Sequence, residues 1–367
     1  MKGIRVDSFQ LGWIEGFYGK PWSWQERLEL VELLAHAGYR SYVYAPKMDH
    51  FLRKRWREPF PRAQIQQFEK LIDSCHAAEV TFGIGISPLG VCRSLDAQSW
   101  SDLKAKIEVI DSLGVDRLDI LFDDMRGDFP DLARTQAEIL HRVADFSKAR
   151  TFTICPTYYS EDPVLERMFG PRPGGYLEEL GRKLDPKIGV YWTGERIVSK
   201  RYSPSHLADV SQKLARKLTL WDNYPVNDTP ALCKFLHLRG FTGRPAEMAE
   251  YLREHMINPM NQPHLSLIPA GTLVMNYAQS DSYSAAQAFT DCAREILGDA
   301  FGGEVETDLS LFADAGLDSI SAEQKTALLA KYSCFDHPAA REIENWLKGD
   351  YLITAEQIRE THGLSQT

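Results

Sequence analysis

The chain has 367 residues, 44% of them apolar and 25% charged, with a formal net charge of −9. That length suits one large α/β unit with a smaller appendage, and the composition is that of a globular protein without an apolar stretch long enough to span a bilayer. The acidic balance argues against nucleic acid or an anionic membrane surface as a partner, since both repel a negative protein, and favours a neutral ligand.

Residues 1–7 place Asp7 where a secretory signal would need an unbroken apolar run, so no targeting segment is expected and a cytoplasmic location follows. Short segments rich in β-branched and aromatic residues then alternate with longer ones of helical spacing. Eight such segments read as strands: residues 11–18, 41–47, 81–88, 117–124, 150–159, 188–194, 217–223 and 264–273. Ser23 is placed to cap a helix carrying Leu28, Val31, Leu34 and Ala35 at core spacing, and Gly38 is placed to stop it. Residues 64–78, 101–113 and 131–147 repeat that design. The basic run Arg53-Lys54-Arg55 has acids close by and reads as a solvated face.

Eight strands, each followed by a helix, predict an α/β fold of the (β/α)8 TIM-barrel type over residues 1–275. A doubly wound sheet would bring fewer strands and a glycine-rich phosphate turn, which the sequence lacks. Residues 284–297, 322–332 and 338–347 read as amphipathic helices without strands between them, a helical appendage over 276–367. Packing against the barrel is its plain role; a homodimer contact or a wall of the substrate cleft is the more informative one. Six cysteines (Cys75, Cys92, Cys155, Cys233, Cys292 and Cys334) lie far apart with no Cys-x-x-Cys, which argues against a zinc site or redox motif, and the thiols are read as reduced and structural.

Reactive groups of such a barrel sit where its strands end. Those ends are polar here, and Phe122-Asp123-Asp124 is the most informative. A strand would point Asp123 and Asp124 to opposite faces, so both reach one pocket only if the chain turns at the strand's end. One carboxylate that stays ionised then helps keep its neighbour protonated, as a general acid requires. Two plainer readings remain for an isolated Asp-Asp pair: a loop cap with an ion pair to Arg126, or magnesium ligation together with Asp128.

The ordered motifs Gly12-Trp13-Ile14-Glu15-Gly16-Phe17-Tyr18-Gly19-Lys20-Pro21-Trp22, Tyr44-Ala45-Pro46-Lys47, Leu121-Phe122-Asp123-Asp124, Cys155-Pro156-Thr157, Trp192-Thr193-Gly194, Trp221-Asp222-Asn223 and Asn258-Pro259 together resemble glycoside hydrolase family 84. That family contains the O-GlcNAcases and bacterial β-N-acetylglucosaminidases, and the likeness spans the whole expected barrel. The resemblance implies a retaining exo-β-N-acetylglucosaminidase that needs no cofactor and acts on β-linked N-acetylglucosamine of a protein or glycan through an oxazoline. It implies that Asp123 orients the 2-acetamido group while Asp124 serves as acid and then base. Adjacent carboxylates suit that arrangement better than an ordinary retaining pair, whose members stand about 5–5.5 Å apart across the scissile bond.

The same resemblance gives Gly16 and Lys47 to the ring hydroxyls, Tyr159 to the acetamide oxygen and Trp221 to the pocket for its methyl group. Asn223, Asp228 and Asn258 complete the polar contacts. The plainer counterparts are a turn for Gly16, a surface cation for Lys47, core for Trp221, a structural hydroxyl for Tyr159 and loop caps for the rest. Met48 and Tyr158 depart from the family's frequent acids at those places, which bears on substrate preference more than on reaction class. The rival expectations are a non-catalytic N-acetylglucosamine-binding barrel and, on Asp123, Asp124 and Asp128, a metal-dependent hydrolase.

Overall fold

Eight parallel strands close into one barrel in chain order: β1 (Gln10–Glu15), β2 (Ser41–Tyr44), β3 (Thr81–Ile86), β4 (Arg117–Leu121), β5 (Thr151–Cys155), β6 (Gly189–Trp192), β7 (Leu218–Asp222) and β8 (Leu252–Ile257). Pairing of Gln10 with Glu254 through Trp13 with Ile257 joins the last strand to the first. The structure, a computed structural model, describes residues 9–93 and 96–361, so the segment 1–7 considered for targeting lies outside the described residues. Among the described residues no helix is long and apolar enough to cross a membrane.

The first helix forms as its sequence directs. In α1 (Trp24–Ala37) the Ser23 hydroxyl and the Glu26 side chain make a reciprocal capping box, and Gly38 ends the helix at φ 104°. Around the barrel follow α2 (Arg62–Ala77), α3 (Ala97–Ser112), α4 (Leu132–Phe146), α5 (Val164–Phe169), α6 (Tyr176–Lys183), α7 (Pro204–Leu214) and α8 (Pro263–Gln279).

The eighth strand expected at residues 264–273 is not a strand: those residues lie inside α8, and the strand is Leu252–Ile257. An apolar run alone does not distinguish a buried strand from a helix buried all round. α8 is of the second kind, with every residue from Pro263 to Val274 buried. Pro263 occupies the first turn, where its missing N–H leaves no bond unmade. The true strand was hidden by its polar content. Glu254 accepts from Arg117 at 2.7 Å, and His255 Nε2 lies 3.0 Å from Asp222 Oδ2, so both polar side chains are buried against partners.

The barrel interior is built around a charge. Arg117 is 1% exposed and donates to Asp119 at 2.7 Å, to Thr153 at 3.0 Å, to the Tyr191 hydroxyl at 2.8 Å and to Glu254. Gly83 makes room for it, since a Cβ there would sit 3.1 Å from the Arg117 side chain. The alternation that turns Arg117 and Asp119 inward carries on along β4 towards its carboxyl end, where the pocket opens.

A helical region follows, α9 (Ala285–Leu297), α10 (Asp299–Ser310), α11 (Ala322–Tyr332), α12 (Pro338–Lys348) and α13 (Ala355–Thr361). Its own apolar cluster, including Phe289, Phe301, Phe312, Tyr332 and Trp346, takes in Leu265 and Ile268 of α8. α8 runs unbroken through residues 275 and 276 and so ties this region to the barrel. The last helix returns to the barrel mouth: Thr361 at its end accepts from Arg53 Nε at 3.0 Å.

Candidate active site

At the carboxyl ends of the strands lies a pocket of about 210 Å³ lined by Gly16, Lys47, Asp123, Asp124, Tyr159, Trp221, Asn223, Asp228 and Asn258 together with Tyr18, Cys155 and Thr193. All nine residues singled out from the sequence therefore meet in one place. A larger cavity of about 460 Å³ beside α1, α8 and α12 is lined by Leu33, Ala37, Leu267 and Ile296 and includes His264, which already sits between Glu29 and Glu342. It lies away from the strand ends.

Asp123 follows the inward alternation of β4, whereas Asp124 would point out were the backbone to continue as a strand. It does not continue: Asp124 adopts φ +59°, the left-handed turn that an aspartate tolerates better than most residues. Both carboxylates consequently line the pocket, 5% and 8% exposed.

Their surroundings differ. Asp123 Oδ2 is ion-paired with Lys47 Nζ, while its buried Oδ1 has no hydrogen-bond partner among the described residues. An acceptor left so is unusual in a folded protein. Asp124 Oδ2 accepts the Tyr18 O–H, its Oδ1 lies 3.4 Å from the Tyr159 hydroxyl, and Arg53 Nη2 stands 3.8 Å from Oδ2. Burial first, then the charge of Asp124, holds both phenols well above their ordinary pKa, so they remain donors.

Another part of the lining is a connected set of amides around an indole. Trp221 Nε1 donates to Asn223 Oδ1 at 3.0 Å, Asn258 Nδ2 donates to the same oxygen at 2.9 Å, and Gly16 N–H donates to Asn258 Oδ1 at 3.1 Å. Only glycine fits at position 16, because a Cβ there would stand 2.0 Å from Trp221 Cζ2. Asp222, between Trp221 and Asn223, turns the other way and is held by Arg244 at 2.6 Å and by His255. Asp228 accepts the Tyr18 N–H at 3.0 Å; burial pushes its carboxyl up to about 6, against the pull of that hydrogen bond.

Several expectations need correction. Arg126 pairs with Asp128 and not with either residue of the Asp123-Asp124 pair, which also takes Asp128 away from the metal set. Among the described residues no group of three or more His, Cys, Asp or Glu side chains is arranged to hold a metal ion. Arg53, read as part of a solvated run, is 2% exposed and borders the acid pair. Tyr18, Cys155 and Thr193 went unnamed as site residues although each stands in a strand-end motif; Tyr18 is two residues past Gly16, on the same side of an extended chain. Of the two departures, Tyr158 donates to the Gly170 carbonyl at 2.6 Å, and neither Tyr158 nor Met48 is among the residues lining the pocket.

Residues 11–314 match the family model described as beta-N-acetylglucosaminidase. Protein O-GlcNAcase of Mus musculus and that of Rattus norvegicus are each 30% identical to the chain over 278 residues, which is 73% of this chain. The match covers only 30% of the length of each of these two relatives. Among solved structures, an aspartate-to-asparagine mutant of the O-GlcNAc hydrolase of Thermobaculum terrenum superposes with a TM-score of 0.77 at 29% identity, covering 96% of this chain and 84% of that one.

Proposed function

Since the chain belongs to the beta-N-acetylglucosaminidase family, glycoside hydrolase family 84, we propose that it is a retaining exo-β-N-acetylglucosaminidase that removes β-linked N-acetylglucosamine from a protein or glycan by substrate-assisted catalysis. The observation that carries this reading is the Oδ1 of Asp123, without a partner among the described residues, beside Asp124 in a pocket that Trp221 also lines. An acetamido N–H supplies the missing donor, and its methyl group suits the indole face.

In the first step the acetamido carbonyl oxygen bonds to the anomeric carbon as the glycosidic bond breaks, and Asp124 gives its proton to the departing oxygen. The acetamido nitrogen gains positive character, which the Asp123 carboxylate stabilises through the N–H, while its other oxygen is ion-paired with Lys47. In the second step Asp124, now a carboxylate, takes a proton from water as the water oxygen bonds to the anomeric carbon and the oxazoline opens. Two displacements at one carbon return the original β configuration. Gly16 and Lys47 meet hydroxyls on one side of the ring, Asn223, Asp228 and Asn258 those on the others, and Tyr159 the acetamide oxygen. Six free cysteines fit a reducing, cytoplasmic setting.

The test is hydrolysis of a chromogenic β-N-acetylglucosaminide followed by proton NMR of the first product formed. Release of the β anomer supports the reading; release of the α anomer, or calorimetric binding without turnover, contradicts it.

A pH dependence follows from Asp228. Above about pH 6 its carboxylate accepts from the sugar's outer hydroxyls; as pH falls through about 6 it takes up a proton and loses that acceptor. KM is therefore expected to rise several-fold between pH 7 and pH 5, roughly as the ionised fraction falls. In Asp228→Asn, KM is expected to be high and flat over that range. A KM that climbs identically in both proteins would assign the effect elsewhere.

A further inference from the structure

The guanidinium of Arg53 lies on the loop after β2, yet it is buried beside Asp124. Each of its nitrogens has a distinct surrounding. Nε donates to the carbonyl of Thr361, the last residue of α13, at 3.0 Å, and Nη1 lies 3.4 Å from Ser87 Oγ at the end of β3. Nη2 makes no hydrogen bond among the described residues and stands 3.8 Å from Asp124 Oδ2. The neighbouring Lys54 Nζ reaches the Glu360 carbonyl at 3.3 Å, so two consecutive cations hold the carboxyl end of α13, the end that attracts positive charge. Ile358 of the same helix lines the pocket.

Such a placement is costly unless the charge has work to do. A buried guanidinium with an unbonded N–H pair is disfavoured by desolvation, and a packing or tethering role would use Nε and Nη1 alone. Burial does oppose the charge of Arg53, but Tyr18, Asp124, Asp123 and Tyr159 together hold its pKa above the ordinary value, so it stays a cation. Among the described residues, the groups around Asp124 include the Tyr18 and Tyr159 phenols, the Asp123 carboxylate with its Lys47 partner, and Asp228 beyond Tyr18. Among the described residues, Lys47 is engaged by Asp123, and Arg53 directs its Nη2 to within 3.8 Å of Asp124 Oδ2.

We infer that Arg53 is a positioning residue for the acid/base group: it draws the Asp124 carboxylate to one side of the pocket and favours its ionised form, and α13 holds Arg53 in place. The ionised form is the one left once the proton has passed to the leaving oxygen, and it is also the base that the second step needs. The terminal helix is thereby coupled to acid/base chemistry through one side chain. This inference rests on the reading of Asp124 as acid and base.

The pH profile of kcat/KM separates that role from a structural one. Its basic limb reports loss of the proton from the acid in the free enzyme. A cation beside a carboxylate lowers its pKa by about one unit or more, so removing the charge is expected to move the limb upward by about one unit. Arg53→Gln keeps an N–H for the Thr361 carbonyl, Arg53→Met keeps the packing of the stem, and Arg53→Lys keeps the charge. The expected result is an upward shift in whichever neutral variant folds, as judged by thermal melting, with the limb of Arg53→Lys near that of wild type. A limb that stays put in an active neutral variant, or that moves equally in the lysine variant, overturns the inference while leaving the proposed function intact. No turnover by the wild type would sink both.

Discussion

Asp124→Ala is expected to lower kcat/KM about 10²–10⁴-fold on a β-N-acetylglucosaminide with a poorly acidic alcohol as leaving group, the range that a positioned general acid supplies. On a substrate whose leaving group is a strongly acidic phenol the loss in the first step should be far smaller, because such an oxygen departs without a proton. Asp123→Ala should behave differently. Every substrate needs its acetamido group held and its positive charge stabilised, so a loss of about 10²–10³-fold is expected whatever the leaving group. The alanine would also leave Lys47 buried at 4% exposure without its carboxylate. Steady-state kinetics over a series of aryl leaving groups checks both. The same leaving-group dependence in the two variants would contradict the division of labour, and unchanged turnover in either would remove that residue from the mechanism.

The second large effect concerns stability. Arg117→Met keeps roughly the volume of the side chain but leaves Asp119 and Glu254 in the barrel interior without their cation. Breaking a buried ion pair by removing one partner costs about 3–5 kcal/mol, since the remaining charge is uncompensated. Urea denaturation at neutral pH is expected to show a loss of that size. The sign of its pH dependence is fixed by Asp119, whose carboxyl is pushed up by burial and pulled down by Arg117. Without Arg117 its folded pKa rises further above the unfolded value, so the folded variant binds a proton that the unfolded chain has released. The deficit is therefore largest above that folded pKa and narrows as pH falls through it. A deficit that widens on acidification, or a variant as stable as wild type, would show that the interior charge cluster is not as tightly matched as its distances imply.

How much of this was legible in the sequence depended on which residues faced water, neighbours or each other. Seven strands were readable because their apolar, β-branched residues are bounded by turn signals, and each began within about a residue of where it was expected. The expected segments ran past the observed strands because they took in the polar strand ends, whose backbone has left the sheet to form the pocket wall. The eighth strand was lost because Glu254 and His255 are satisfied inside the fold by residues distant in sequence, Arg117 and Asp222. Periodicity carries no trace of such pairing.

The site was more legible than the strands around it. Gly16, Lys47, Asp123, Trp221 and Asn223 sit within ordered motifs at strand ends, and the turn required at Asp124 is visible as a positive φ. Arg53 was not legible. A basic run ordinarily means a solvated face, and only the return of α13, more than 300 positions later in sequence, encloses that guanidinium.

The most direct test of the central claim is the rate of hydrolysis over a series of substrates in which the 2-acetamido methyl carries none, one, two or three fluorines. Fluorine withdraws electron density from the carbonyl oxygen and scarcely changes the size of the group. If that oxygen is the nucleophile, kcat/KM falls steadily along the series, and an analogue with a 2-hydroxyl in place of the acetamido group turns over at background rate. Equal rates across all members would mean that the displacement is carried out by some other atom.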